Sequence, residues 1–176
     1  QRDVTSTLDY LVAQPNIDAQ RIGLVGFSQG GLIAQLVAAK DSRIKSLVAW
    51  SSVGGNGTGV FQFFFDEDYA EAKANCFAVV KFPWRSAPLN FGLQWFEEIK
   101  ANSSLDNFKN YHGNLLAIAG TADTLVSYDS SIQLINHVGT TNAELHLIKG
   151  ADHMFNVLGS ATANGLAEDQ STAETV

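Results

Sequence analysis

LVGFSQGGLIAQ, residues 24–35, passes from an apolar, strand-like run through a serine set among glycines into a helical repeat. Gly26-Phe27-Ser28-Gln29-Gly30 has the form G-x-S-x-G, and Leu32, Ile33, Leu36 and Val37 recur behind it at helical spacing. A turn tight enough to carry a strand straight into a helix holds its serine at strained dihedrals. Side chains two residues to either side are then expected to collide with neighbouring backbone, which accounts for Gly26 and Gly30. The first N–H groups of such a helix are unpaired and lie at the positive end of its dipole. Both properties suit a developing oxyanion, and the N–H of Gln29 is the donor best placed.

Working outward, apolar residues alternate between strand-like runs and helical spacing. Val4, Leu8, Leu11 and Val12 predict a helix, ended by Pro15 and Asn16, and Ile22–Phe27 a strand. Ile44–Trp50, Leu115–Ala119 and Leu145–Ile148 read as three further strands, and Ile132, Leu134, Ile135 and Val138 as a helix between the last two. Strands alternating with helices predict an α/β fold with about four parallel strands and helices on both faces.

One interval breaks this rhythm. Gly54 to Gly59 signals a loop, and Phe61 to Phe96 then holds eleven of the eighteen aromatic residues, among them Phe63, Phe64, Phe65, Trp84, Trp95 and Phe96. Asp66–Ala74 and Phe91–Lys100 have helical composition, with Pro83 and Pro88 between them. The expectation is one domain over 1–176 with a helical, lid-like cap insertion at 55–110. Its rings either line an apolar acyl pocket or bury one another.

Composition bounds the function. The 176 residues are 45% hydrophobic and 16% charged, with net charge -7 and no cluster of Lys or Arg. Nothing there would neutralise a nucleic-acid backbone or grip an anionic membrane. No apolar run reaches the length of a membrane span, so a soluble chain, cytoplasmic or periplasmic, is expected. Cys76 stands alone and reads as a small core hydrophobe.

A serine hydroxyl needs a base and an orienting acid. Asp123 directly follows the Leu115–Ala119 run and His153 directly follows Leu145–Ile148. The carboxyl ends of parallel strands share one rim, so Ser28, Asp123 and His153 are expected to gather there, in the order Ser, Asp, His. Asp129 and Asp152 are the other nearby carboxylates, and rank below Asp123 because they do not sit at the strand end. His112, His137 and His146 read as a polar turn, a helix end and a strand position. No metal or cofactor is expected, since the four histidines lack ligand spacing. Asp66, Glu67 and Asp68 would suit a free amine, or simply begin a solvated helix.

These features resemble the α/β-hydrolase superfamily, particularly bacterial serine esterases and dienelactone-hydrolase-like and prolyl-oligopeptidase-like catalytic domains. The likeness covers residues 3–158, through NIDAQRIGLVGFSQGG (16–31), LLAIAGTADTLVSYDSS (115–131) and ELHLIKGADHMF (144–155). It implies Ser28 as nucleophile, His153 as general base and then acid, Asp123 as its carboxylate, Gln29 as an oxyanion donor, and a small-molecule ester as substrate. It also implies four strands ahead of the nucleophile strand, and a second oxyanion donor from the loop after the third, none of which this sequence holds. Ile22–Phe27 is thus expected to be a sheet edge, covered by the N-terminal half of a longer hydrolase or by a homo-oligomer.

Overall fold

The structure, a computed structural model, describes residues 1–82 and 86–157. In chain order its elements are α1 (Arg2–Val12), β1 (Ile22–Phe27), α2 (Gln29–Ala38), β2 (Ile44–Trp50), a 3-10 turn (Gly59–Phe61), α3 (Gln62–Glu67) and α4 (Tyr69–Asn75). There follow β3 (Phe77–Val80), β4 (Leu89–Gly92), α5 (Leu93–Lys100), α6 (Ser104–Phe108), β5 (Asn114–Gly120), α7 (Asp129–His137) and β6 (Ala143–Ile148). The chain divides into two compact units, Gln1–Gly55 with the residues from Ser104 onward, and Asn56–Ser103. Pro83 and Trp84 of the aromatic interval, and residues 158–176 of the expected domain, lie outside the described residues.

In the first unit the strands form a parallel sheet in the order β1, β2, β5, β6. β1 and β2 coincide with the apolar runs in the sequence. β5 and β6 begin one and two residues before theirs, because Asn114, Ala143 and Glu144 join the ladder through backbone groups whatever their side chains. Register puts Leu24, Leu47 and Leu115 in one row on one face, and Val25, Val48 and Leu116 in a row on the other.

The first face carries the core. Leu47, Ala49 and Leu115 cluster with Leu8 of α1, Ala34 and Ala38 of α2, Phe108 of α6 and Leu134 of α7. Each large side chain buried there is worth roughly 1.5–3 kcal/mol. Alanines at positions 34 and 38 let α2 lie close on β1 and β2. Among the described residues all four helices of this unit join this cluster. The other face, with Val48, Trp50, Leu116 and Ile118, is packed by Ala151 and Phe155 from the segment after β6. β1 pairs with β2 alone among the described strands, and Val25 on it is 64% exposed.

The second unit holds α3, α4 and α5, and also a hairpin that the helical reading of this interval omitted. β3 and β4 pair antiparallel, with Phe77 opposite Gly92 and Val80 opposite Leu89. Phe77-Ala78-Val79-Val80 alternates exposed and buried, the period-2 signal of a strand, within an interval too short and too aromatic for the pattern to stand out. Phe64, Ala72, Ala78, Val80 and Phe96 form this unit's core, with Phe61, Phe65, Tyr69, Phe91 and Trp95 packed against it. The rings thus bury one another. α6, within the 55–110 interval, belongs to the first unit, where Phe108 is fully buried.

Cys76 is not a core residue. It is exposed and ends α4 at φ 67, where the left-handed turn places its carbonyl to accept from the Leu93 N–H at 2.8 Å. No helix among the described residues is long and apolar enough to cross a membrane.

Candidate active site

β1 ends at Phe27, α2 begins at Gln29, and Ser28 between them takes φ 52 and ψ -123, a conformation strained for a residue with a side chain. Four backbone hydrogen bonds clamp or surround the turn. The Ser28 N–H donates to Trp50 O at 3.0 Å, Ser28 O accepts from Gly31 N–H and Val53 N–H, and Ser51 N–H donates to Ile118 O. The last two tie the serine to the chain leaving β2, and that chain to β5.

The glycine requirement is only partly where the sequence put it. A β-carbon on Gly26 would stand 2.6 Å from Gly30 O and 2.7 Å from Gly31 Cα, so position 26 admits no side chain. Beside Gly30 nothing lies within 4 Å. The second crowded position is Gly31, whose β-carbon would overlap Ser52. Ser52 is held there by Gln35, a fully buried residue of α2 whose Nε2 donates to Ser52 Oγ at 2.7 Å and to Val53 O at 2.9 Å. The doubled glycine at 30–31 was the available signal, but only packing tells which of the two is needed.

Asp123 lies in the turn after β5. Its Oδ1 accepts from Leu125 N–H at 2.9 Å and Val126 N–H at 2.8 Å, which orients Oδ2 toward His153. His153 lies in the turn after β6, its Nδ1 2.7 Å from Asp123 Oδ2 and its Nε2 2.9 Å from Ser28 Oγ. An ionised carboxylate only accepts, so Nδ1 carries the proton and Nε2 of the neutral ring accepts from the serine hydroxyl. Asp123 and His153 are 8% and 9% exposed, which shields their bond from water. The structure therefore brings Ser28, His153 and Asp123 into one hydrogen-bonded chain, with the Gln29 N–H beside it in the first turn of α2.

The other candidates go elsewhere. Asp129 starts α7 and accepts from Ser127 Oγ. Asp152 shapes the histidine's turn: its Oδ1 accepts from Met154 N–H and Asn156 N–H, while the Asp152 N–H donates to Asn156 Oδ1. That exchange supports Phe155 and Asn156 at φ 55 and 62. His112 contacts Gly139 O, His137 contacts Gln133 O, and His146 is exposed beside Glu144. Asp66 accepts from Gln62, and Asp68 has its carboxyl raised by burial and by Glu67 and Glu71. Among the described residues no group of three or more His, Cys, Asp or Glu is placed to hold a metal ion.

Sequence reading did not single out the aromatic seat of the histidine turn. Phe27 lies 5.0 Å from the His153 ring, Trp50 meets Phe27 edge-on at 6.1 Å, and Phe155 meets Trp50 at 5.4 Å. Their separation in sequence hides the arrangement.

Known proteins share this architecture. Est1E from Butyrivibrio proteoclasticus superposes with a TM-score of 0.66 at 18% identity, covering 98% of this chain and 68% of that one. The esterase domain of a Rhodothermus marinus protein gives 0.59 at 16%, covering 98% and 66%. These likenesses show an α/β-hydrolase fold. In sequence, the chain is 30% identical over 143 residues to Inactive dipeptidyl peptidase 10 of Rattus norvegicus, which is 78% of this chain and 15% of that protein. The chain thus spans about 15% of the length of that curated relative. The profile of the prolyl oligopeptidase family matches residues 1–170, and on that match, together with the fold, the chain belongs to the prolyl oligopeptidase family.

Proposed function

We propose that the chain is the catalytic portion of a serine carboxylesterase acting on short to medium acyl esters. The observation that carries this reading is the hydrogen-bonded chain from Ser28 through His153 to Asp123, with the serine held at φ 52. Ser28 Oγ attacks the ester carbonyl carbon as His153 Nε2 takes its proton. The carbonyl oxygen becomes an oxyanion that accepts from the Gln29 N–H. Collapse breaks the bond to the alkoxy oxygen, which leaves as alcohol with the proton returned by His153. Water, deprotonated by the same nitrogen, then hydrolyses the acyl-enzyme. Asp123 holds the ring and stabilises its charged form. A thioester or peptide substrate would use the same residues, because the leaving group is chosen by pocket shape rather than by the triad.

A second reading, a hydrolase-fold module without catalysis, is favoured by the rat relative's designation as inactive. A fluorophosphonate probe separates the two, since covalent labelling needs an activated serine and no particular substrate. Intact-mass analysis is expected to show one adduct on Ser28, absent in Ser28→Ala and suppressed in His153→Ala. A folded sample with no adduct would leave the non-catalytic reading. The exposed β1 edge is proposed to take a further strand, from the rest of a longer chain or from a second copy.

A further inference from the structure

Two hydrogen bonds hold the His153 ring, one at each nitrogen, at 2.7 Å to Asp123 Oδ2 and 2.9 Å to Ser28 Oγ, and such bonds are best when they lie near the ring plane. They define a line through Nδ1 and Nε2 but leave the ring able to rock about it. Rocking swings both N···O directions off the lone pairs they serve, and a hydrogen bond weakens steeply as it bends. A neighbouring ring packed against the imidazole limits that rocking.

Phe27 does so. Its ring lies 5.0 Å from the imidazole, centroid to centroid, tilted by 39°. Phe27 is braced in turn, because it stands opposite Trp50 in the β1–β2 ladder and takes that indole edge-on at 80°. Trp50 is met by Phe155, fully buried, two residues beyond His153 on the same turn. The contacts make a circuit: His153 on Phe27, Phe27 on Trp50, Trp50 on Phe155, and Phe155 back along the turn to His153. The turn is thereby fastened to two neighbouring strands at two points, one of them the histidine.

We infer that Phe27 is a positioning residue for His153, fixing the plane of the imidazole between Ser28 and Asp123. An aromatic face against an imidazolium also attracts its charge, so the ring favours the protonated histidine that forms during attack. That second role rests on the reaction proposed above; the positioning role does not.

The test keeps them separate. Phe27→Leu preserves an apolar side chain at a partly exposed edge position but removes the ring, and Phe27→Tyr restores it. The first readout is the proton on His153 Nδ1, observed as a downfield NMR resonance and assigned by its loss in His153→Gln. Measured in a Ser28→Ala background, it needs no activity. It is expected to be sharp with Phe27 or Tyr at position 27, and broadened by exchange with water in Phe27→Leu, with thermal unfolding little changed. The second readout is the rate of fluorophosphonate labelling in the serine-bearing chains, expected to fall roughly 3- to 30-fold in Phe27→Leu and to recover in Phe27→Tyr. A resonance absent with Phe27 present, or equally sharp in Phe27→Leu, overturns the positioning role. If no chain is labelled but the resonance responds as described, positioning stands and the proposed reaction fails.

Discussion

Gly31 packs so closely against Ser52 that a β-carbon on it would overlap the serine side chain, whereas beside Gly30 there is open space. Gly31→Ala is therefore expected to destabilise the chain by about 1–3 kcal/mol, the usual cost of overpacking a filled site. Gly30→Ala, at a helical position in α2, is expected to be neutral or to stabilise by about 0.5–1 kcal/mol. Urea unfolding of the two variants checks this, and equal losses would contradict it.

Asp123 alone among the three nearby carboxylates reaches the imidazole. Asp123→Asn is expected to slow fluorophosphonate labelling by a factor on the order of 10⁴, as loss of the orienting acid does in serine hydrolases. Asp129→Asn and Asp152→Asn are expected to stay within a few-fold of the parent, since one begins α7 and the other keeps its Oδ1 acceptor.

Tyr111 is buried, stacked on Phe108 at 5.6 Å, and donates to Asn114 O at 2.9 Å. Burial pushes its hydroxyl up to about 12. The unfolded chain would release that proton near 10. Tyr111 thus supports folding fully below pH 10, and its contribution drains as pH rises from there toward 12. Tyr111→Phe is expected to flatten the alkaline fall of the melting temperature between those limits.

Arg43 bridges Asp41 at 2.6 Å and Asp9 at 2.7 Å. Hydrogen bonding to the guanidinium holds the Asp41 carboxyl below its usual range. The sign is that of a depressed acid: stabilisation is complete above the unfolded value near 4 and is lost as pH falls through the lower folded value. The stability gap between parent and Asp41→Asn is expected to be small at pH 6, to narrow below pH 4, and to shrink in high salt.

β1 leaves one side of its backbone without a strand partner among the described residues, and Val25 on it is exposed. At micromolar concentration the 176-residue chain is expected to sediment as a homo-oligomer, and Val25→Lys to shift it toward monomer. A stable, well-folded monomer of the parent would count against pairing between copies.

Much of this was legible in the sequence because it is local. A strand announces itself by an apolar run, a strand-to-helix turn by G-x-S-x-G, and parallel pairing by alternation. Ser28, Asp123 and His153 could be named because each stands directly after such a run, where strands end on a common rim. The β3–β4 hairpin was hidden by the brevity of its strands among so many rings. Cys76 was misread because a left-handed helix end is a matter of backbone rather than of side-chain character.

What the amino-acid sequence determined by itself was the order of the four parallel strands and of α1, α2 and α7 around them, with the three residues after the strand ends, since propensity, periodicity and turn chemistry act within a few residues. Tertiary structure alone decided that Gly31 rather than Gly30 must lack a side chain, that Asp152 serves its own turn, and that Phe27, Trp50 and Phe155 seat the histidine. Each of those depends on close approach between groups far apart in the chain, which only packing brings about.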